Sequence, residues 1–441
     1  AGTRFRYCGQ QSPKPHQGES LAVEAMAESL PHLFTSESVA SGHPDKICDS
    51  ISDAIVDACL TIDPDARVAV ETLVKGKAEG SVIILAGEVS LSGDAPDFEA
   101  IARQTAAAIG YVDHSIGMDA VSPELCEVQT HITTQSQYIS QGVDRDGAGD
   151  QGMMFGYACK ETEQDEELRD RYFPIAAALA QRLTRRLDII QRTGEIPWMR
   201  PDGKSQVTVE YENGSPCRVN TVVVAVQHDT ALKERFGGSE RAEHEFIIEQ
   251  VRNHVVEHAI PAQWLQQGYT LKVNNTGRFA DPGGPYSDAG ITGRKIVVDA
   301  YGGMARHGGG AFSGKDPSKV DRSAAYCARW AAKHVVAAGL ADRCEIQVAY
   351  VIGQAEPVSL RVDTFGTGVI ADPEIHRRVR NVFDWRPEAI IRDLGLKRPI
   401  YLKTATGGHF GRPPTDDGHF PWERIYEDRI EALKKSAEIG L

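Results

Sequence analysis

Hydrophobic periodicity first predicts a helix between Lys46 and Leu60. Apolar residues spaced by three or four positions lie on one face of an α-helix. The isoleucines of this face are Ile47, Ile51 and Ile55, and a second set at the same spacing is Asp49, Asp53 and Asp57. The stretch is therefore predicted to be amphipathic, with apolar and acidic residues on separate faces.

The segments after this helix repeat one order of elements three times along the chain. β-branched and apolar runs alternate with amphipathic ones, and these patterns are typical of strands and helices respectively. The order is helix, strand, strand, helix, strand. The first copy is predicted at 46–60, 66–74, 81–90, 97–110 and 126–134; the second at 173–190, 205–211, 219–227, 240–260 and 269–275; the third at 321–340, 344–353, 358–366, 373–385 and 399–407.

This repetition predicts an α+β (α/β) protein of three pseudo-symmetric domains, each a small β-sheet covered on one face by helices. Glycine-rich connections at 141–156 and 276–295 separate the repeats, and long irregular loops of this kind are often functional. The expected organisation is a disordered extension over 1–32, an N-terminal domain over 33–142, a central domain over 147–282, a C-terminal domain over 284–425 and a helical tail over 426–441.

Composition excludes several classes of partner. The 441 residues include 48 Lys and Arg against 62 Asp and Glu, a formal net charge of −14, which argues against general affinity for nucleic acid or anionic membranes. No apolar run approaches the ~20 residues of a membrane span, and the first 25 residues lack the apolar stretch of a signal peptide. The eight cysteines form no C-x-x-C pair, which favours reduced thiols in a cytoplasmic protein.

The segment 302–319 has the composition of an anion-binding loop. It reads GGMARHGGGAFSGKDPSK, and from Gly309 it follows G-x-x-x-x-G-K, the pattern of a P-loop. Asp316 stands where that motif has Ser or Thr, which disfavours a true P-loop. Asp316 and Pro317 are expected to start the next helix, whose N-terminus would favour phosphate. The alternative is a flexible glycine-rich surface loop.

A second candidate is GHPDK at 42–46, just before the first predicted helix. His43, Asp45 and Lys46 together suit a magnesium-bound polyphosphate, because Mg²⁺ takes few protein oxygens and leaves its other positions to phosphate and water. The alternative is turn chemistry, with Asp45 capping the helix.

Two further candidate pairs have equally plain alternatives. Asp202 and Lys204 precede a predicted strand, but P-D-G is also an ordinary turn. Glu71 and Glu88 are acidic residues within otherwise apolar strands. Strand alternation could leave both in solvent, whereas a buried carboxylate would need a cation or an ammonium partner.

Taken together and in this order, these segments closely resemble the S-adenosylmethionine synthetase (methionine adenosyltransferase) family. The resemblance extends from Leu33 to about Trp422, and its most specific signatures are GAGDQGMMFGY at 147–157 and GGGAFSGKDPSKVDRSAAY at 308–326. It implies three pseudo-symmetric domains, ATP and L-methionine as substrates, two Mg²⁺ per site, K⁺, and a homo-oligomer, a dimer or tetramer with the site at the dimer interface.

The resemblance also implies roles for individual residues. The expected catalytic residues are His43, Lys204, Arg294 and Lys315. ATP is expected to contact His43, Asp202, Lys204, Arg278, Phe279, Asp288, Arg294, Lys295, Ala311 and Lys315. Methionine is expected to contact Glu88, Gln135, Asp288 and Lys319. Asp45 and Asp321 are the expected magnesium ligands, Glu71 belongs to the potassium site, and Asp150 is a further site residue.

The implied reaction explains why the predicted site is rich in cations. Methionine's thioether has no proton to lose, so its attack on C5′ of ATP needs no general base. It needs alignment of the reacting atoms and fixed positive charge where negative charge builds on the triphosphate. Lysines, an arginine, magnesium and His43 are expected to supply that charge. The bound triphosphate is then hydrolysed to pyrophosphate and phosphate. The alternative function is a P-loop-type ATP phosphotransferase.

Overall fold

The structure is a computed structural model that describes residues 31–134 and 147–435. Thirteen strands lie in these two ranges. They are β1 His32–Val39, β2 Arg67–Lys77, β3 Gly80–Ser90, β4 Val112–Asp113, β5 Met118–Asp119, β6 Cys126–Thr133, β7 Gly152–Cys159, β8 Met199–Glu212, β9 Ser215–His228, β10 Thr270–Val273, β11 Gly290–Ile291, β12 Arg343–Tyr350 and β13 Ser359–Asp363.

Eight α-helices of at least two turns lie in the same two ranges. They are α1 Pro44–Ile62, α2 Phe98–Ile109, α3 Ile175–Thr193, α4 Glu240–Val251, α5 Val320–Ala337, α6 Asp372–Val382, α7 Pro387–Leu394 and α8 Glu427–Lys434. A π-helical stretch, Arg252–Val256, extends α4. Shorter helical segments are Glu257–Ala259, Ala262–Leu265 and Ile296–Asp299, with 3-10 turns at His114–Ile116, Glu161–Gln164, Thr230–Phe236, Gly284–Tyr286, Leu402–Thr404 and Pro421–Glu423.

The strands form three small sheets and one two-stranded ribbon. The sheets have the orders β1-β8-β9-β10, β11-β2-β3-β6 and β13-β12-β7, and β4 pairs with β5. The expected mixed α/β class is therefore confirmed. Each sheet also takes one strand from a distant part of the chain, since β1 pairs with β8, β11 with β2 and β7 with β12.

Three long helices pack against these sheets and form the centre of the core. Helix α1 packs on β2, α3 on β8 and β1, and α5 on β7 and β12. All three are buried over most of their length. The charged side chains that α5 buries are paired, for example Arg322 with Asp53 at 2.7 Å and Arg329 with Glu423 at 2.8 Å. Pairing is required because an isolated buried charge is very costly.

The prediction of a strand at 399–407 was wrong. This segment contains only the 3-10 turn Leu402–Thr404. The amides of Tyr401 and Leu402 donate to the two carboxylate oxygens of Asp57, both at 2.9 Å, so they cannot join a sheet ladder. The third sheet instead gains β7, which runs antiparallel to β12.

The first strand starts at His32, inside the segment expected to be an extension. The His32 ring stacks on Tyr211 of β8 with 5.2 Å between ring centres, which explains why the strand reaches this far. Residues 1–30 lie outside the described part of the chain. The other expected domain limits stay predictions.

Candidate active site

The N-terminus of α1 carries the first two candidate residues. His43 is the N-cap, and its Nδ1 accepts a hydrogen bond from the backbone amide of Asp45 at 3.2 Å. Both side chains are buried. The expected cap, Asp45, therefore lies inside the first turn, where the helix dipole stabilises negative charge. Its carboxylate faces away from the helix, toward residues 291–295.

Cationic side chains lie around Asp45 at this helix end. Its carboxylate accepts hydrogen bonds from the Ile291 amide at 3.0 Å and from Lys295 Nζ, and Arg294 Nε lies 3.7 Å away. Burial opposes ionisation, but the Lys295 and Ile291 hydrogen bonds outweigh it and hold the pKa of Asp45 below its ordinary value. The carboxylate is thus ionised and ready to bind a cation.

The surroundings of His43 disfavour the positive charge expected of it, and its catalytic role stays a prediction. Burial, reinforced by Lys295 and Lys204, lowers the pKa of His43 to about 3. The imidazole is therefore neutral near pH 7 and offers a hydrogen-bonding group rather than a charge. The positive charge of this region comes from the lysines and from Arg294.

Asp202 lies beside this group on β8. The P-D-G sequence does not form a separate turn but lies within the strand, at a register shift between Met199 and Gly203. Asp202 is buried, and its Oδ1 has no hydrogen-bond partner among the described residues. Burial raises its pKa to about 7, although nearby Lys204 lowers it. A buried acceptor without a partner indicates a place for a ligand donor.

The loop before α5 carries the second cationic group. Lys315 Nζ donates to Asp321 at 2.7 Å, and Lys319 pairs with Asp316. Gly310 packs closely on Asp321, since a Cβ there would lie 2.2 Å from Asp321 Oδ1 and the carboxylate would have to move to admit it.

The P-loop alternative was wrong. A P-loop joins a strand directly to a helix, whereas here the short helix Ile296–Asp299 and turns precede the loop, and α5 begins only at Val320. The helix expected to start at Asp316 also begins later. The Asp316 carboxylate accepts the amides of Val68 at 2.7 Å and Ser318 at 2.8 Å, which holds Asp316 in a turn.

Several expected site residues contact neither cationic group directly. Glu71 is exposed and Glu88 is half-buried, each on the outer face of its strand. The Arg278 guanidinium is paired with Glu243 through hydrogen bonds of 2.7 and 2.9 Å. The carbonyl of Phe279 accepts the amide of His228 at 2.9 Å.

The other expected residues lie in loops. The Cβ of Ala311 lies against Gly293, which brings the second loop next to the residue before Arg294. Asp150 bonds the amide of Gln151 at 2.7 Å, and Asp288 bonds that of Ala289 at 2.8 Å. Gln135 lies outside the described residues.

The structure thus gathers the candidates into two groups. The first group surrounds the start of α1, and the second surrounds the loop before α5. The first group is His43, Asp45, Asp202, Lys204, Asp288, Arg294 and Lys295; the second is Lys315, Lys319 and Asp321. Within 31–134 and 147–435, no hydrogen bond or ion pair joins a member of one group to a member of the other.

Magnesium fits the carboxylates of both groups. In the described part of the chain no cluster of three or more His, Cys, Asp or Glu residues could enclose a metal ion. Mg²⁺ does not need such a cluster, because it commonly uses one or two carboxylates plus substrate phosphates. Asp45 and Asp321 each place one carboxylate among cations that suit phosphate.

Of the charged residues that support these groups, only Lys46 was a candidate from the sequence, as a polyphosphate ligand. Lys46 is instead wholly buried and pairs with Asp299 and Asp49, while Asp53 pairs with Arg322. The aspartates were visible as a second face of α1, but a single sequence does not show that another part of the chain covers that face. Their regular spacing of four was the signal that could have found them.

Comparison with known proteins places the chain in a family. Residues 31–137 match the N-terminal domain of S-adenosylmethionine synthetase, residues 145–279 its central domain and residues 282–424 its C-terminal domain. In the described parts of the chain, no helix combines the length and the apolar character needed to cross a bilayer.

Curated relatives agree with the domain matches. S-adenosylmethionine synthases from Nocardioides sp., Salinispora arenicola and Clostridium tetani are 51%, 52% and 48% identical. The first two alignments cover 92% of this chain and the third covers 91%, and each covers 98% of the relative. The resemblance carried by the two glycine-rich signatures is confirmed. The chain belongs to the S-adenosylmethionine synthetase family and is a methionine adenosyltransferase.

Proposed function

We propose that the chain makes S-adenosylmethionine by attack of the methionine sulfur on C5′ of ATP, and then hydrolyses the bound triphosphate to pyrophosphate and phosphate. The observation that carries this mechanism is the set of cations at the start of α1. Lys295 and Arg294 lie beside Asp45, and Lys204 and Lys295 lie close enough to His43 to lower its pKa. This charge favours a leaving triphosphate.

The protein's part in the displacement is electrostatic. As the C5′–oxygen bond breaks, negative charge grows on the triphosphate, and preorganised donors stabilise such charge most effectively. Lys204, Arg294, Lys295 and Lys315 are the donors that we assign to it. Neutral His43 serves as a hydrogen-bonding partner near the breaking bond. No residue is needed as a base, since the thioether sulfur loses no proton.

Binding roles extend to the adenosine and methionine portions. The free Oδ1 of Asp202 supports a contact with a ribose hydroxyl or an adenine amine. We assign the segments that contain Arg278, Phe279 and Ala311 to ATP binding. The Arg278 guanidinium itself is already bonded to Glu243. Asp288 serves both substrates. Methionine is assigned to Glu88, Gln135 and Lys319, and Asp150 remains a further site residue.

The proposed cofactors are Mg²⁺, two per site, and K⁺. Asp45 and Asp321 would hold the magnesium ions, and Glu71 would belong to the potassium site. When bound, magnesium neutralises phosphate charge. The exposed carboxylate of Glu71 makes no hydrogen bond or ion pair with other described residues, which leaves it available to a cation.

We also propose that the site is completed by a second copy of the chain, in a dimer or tetramer. The family resemblance supports this, because it implies a homo-oligomer with the site at the dimer interface. The outer face of the second sheet gives further support, since Leu73, Val82 and Ile84 are only partly buried there. A cytoplasmic location is supported by seven free thiols among the described residues.

The proposal is tested by incubating the protein with ATP, L-methionine, MgCl₂ and KCl and detecting S-adenosylmethionine by mass spectrometry. The expected products are one pyrophosphate and one phosphate for each S-adenosylmethionine. Omission of methionine should abolish adenosyl product. Absence of S-adenosylmethionine with all components present would contradict the proposed function.

A further inference from the structure

Helix α1 presents four aspartates at intervals of four residues, Asp45, Asp49, Asp53 and Asp57, which we call the aspartate row. Side chains at this spacing lie on one face of a helix. Each carboxylate accepts backbone amides from residues between 291 and 402: Asp45 from Ile291, Asp49 from Gly293, Asp53 from Gly314, and Asp57 from Tyr401 and Leu402. The row therefore holds three separate segments against one helix.

Asp49 holds the segment that carries Arg294 and Lys295. Its Oδ1 accepts the amide of Gly293 at 2.8 Å, and Gly293 directly precedes Arg294. Its Oδ2 accepts from Lys46 at 2.9 Å, so the carboxylate is itself fixed. Gly293 has a φ of +81°, and a Cβ there would lie 2.5 Å from Ala311 Cβ, which further restricts its position.

Asp53 holds the segment that carries Lys315. Its Oδ1 accepts the amide of Gly314 at 2.9 Å, and both its oxygens bind Arg322, at 2.7 and 2.9 Å. Arg322 also donates to the carbonyl of Lys315 at 3.0 Å. The two residues therefore fix the backbone on both sides of the Lys315 Cα, at 0% exposure for each side chain.

We propose that Asp49 and Asp53 are positioning residues for catalysis. They set the places of Arg294, Lys295 and Lys315 by anchoring the residue before each cationic segment. The inference rests on the proposed function of those cations. A cation stabilises a transition state only where it is held in advance, and a misplacement of about 1 Å can cost ~10²-fold in rate. Long side chains alone do not provide such precision.

Asp57 provides a matched control from the same row. Its carboxylate makes the same kind of bond as Asp49 and Asp53, but Tyr401 and Leu402 belong to a segment without candidate site residues. Truncation of Asp57 removes the two oxygens that accept the Tyr401 and Leu402 amides, and it should lower stability. The Tyr401 ring packs on Arg322 at 4.2 Å, but Asp57 itself bonds to neither cationic segment. Both segments keep their own anchors at Asp49 and Asp53 in this variant.

The experiment compares Asp49→Ala, Asp53→Ala and Asp57→Ala, each measured for melting temperature, kcat, methionine KM and hydrolysis of added tripolyphosphate. We expect kcat to fall at least about tenfold in the first two variants. Tripolyphosphate hydrolysis should fall in parallel, because the same cations hold that anion, while methionine KM should stay within about twofold. Asp57→Ala should melt earlier and keep its kcat.

Asp49→Asn separates positioning from a folding defect, because Lys46 keeps Asp299 as a charged partner. The asparagine keeps an oxygen that can accept the Gly293 amide, so kcat should recover relative to Asp49→Ala. Asp53→Asn is not used in this way, since it would leave the buried Arg322 without a carboxylate. Normal kcat in folded Asp49→Ala and Asp53→Ala would overturn the inference. So would losses of kcat in all three alanine variants that simply follow their melting temperatures. Failure of the wild-type chain to form S-adenosylmethionine would instead contradict the proposed function.

Discussion

Lys315 shows how one side chain can be held ready for an anion. It lies 2.7 Å from Asp321, is part-exposed, and forms an isolated bridge between its backbone and Ala69 of β2. An exposed ion pair of this kind contributes little to stability. Its more important consequence is that Lys315 has a defined position before substrate binds.

Lys315→Ala should reduce kcat by about 10²-fold or more, since loss of one preorganised donor to a developing anion typically costs ~2.7 to 4 kcal/mol. The measurement is steady-state formation of S-adenosylmethionine at saturating ATP and methionine. Lys160→Ala is a suitable control, because Lys160 forms a comparable surface pair with Asp342 at 2.6 Å and is not a candidate site residue. A kcat near the control value in folded Lys315→Ala would exclude this role.

Glu71 gives a prediction about the monovalent ion. Its exposed carboxylate lies on β2, opposite Ala86 of β3, and has no bonding partner among the described side chains. Glu71→Gln removes the charge with little change in shape, so activation by K⁺ should weaken while ATP binding remains measurable. Titration of activity with KCl at constant ionic strength tests this. Unchanged activation by K⁺ in the variant would rule out Glu71 as part of the site.

At the scale of elements, the start of α1 is placed by contacts with α3. Ser41 precedes the His43 cap, and its amide and hydroxyl both donate to Asp188 of α3 at 2.8 Å. Burial raises the pKa of Asp188 to about 6, against the opposing effect of the Ser41 hydrogen bonds. Ionisation of this carboxyl therefore costs folding free energy.

The sign of the resulting pH dependence follows from proton uptake. Between its ordinary value of 3.8 and about 6, Asp188 binds more protons in the folded than in the unfolded chain, so stability falls as pH rises through this window. Asp188→Asn keeps an acceptor for Ser41 and cannot ionise. Relative to this variant, the wild type should lose about 2 kcal/mol of unfolding free energy between pH 4 and pH 7. Denaturant unfolding at several pH values would reveal it, and a difference independent of pH would contradict it.

The elements also show what a single sequence can predict. Ile47, Ile51 and Ile55 identify α1 because their burial follows directly from helical spacing. The run at 399–407 looked equally like a strand, but its amides bond to Asp57, a residue more than 300 positions away. Periodicity reports which face is apolar. It does not report which distant group takes a backbone hydrogen bond.

At the scale of the molecule, exchange of strands ties the three domains together. The N-terminal β1 completes the sheet of β8 and β9, and β7 of the central domain completes the sheet of β12. The glycine-rich motifs predicted the family and several candidate residues, because residues expected to contact the substrates lie within those motifs. They could not predict this exchange or the two separate groups, since both depend on contacts between segments hundreds of residues apart.

The number and spread of cations across the molecule predict which bond of ATP breaks. A phosphotransferase needs charge around one transferring phosphoryl group, whereas Lys204, Arg294, Lys295, Lys315 and Lys319 offer charge for a whole triphosphate. We therefore expect cleavage at C5′, so that the triphosphate leaves intact and is hydrolysed before release. ATP carrying ¹⁸O at the C5′ bridging oxygen should deliver the label only to phosphate and pyrophosphate, and no labelled nucleoside or nucleotide product should form. Label that stays on the 5′ oxygen of such a product, for example ADP formed in step with turnover, would show attack at phosphorus and overturn this assignment of the cations.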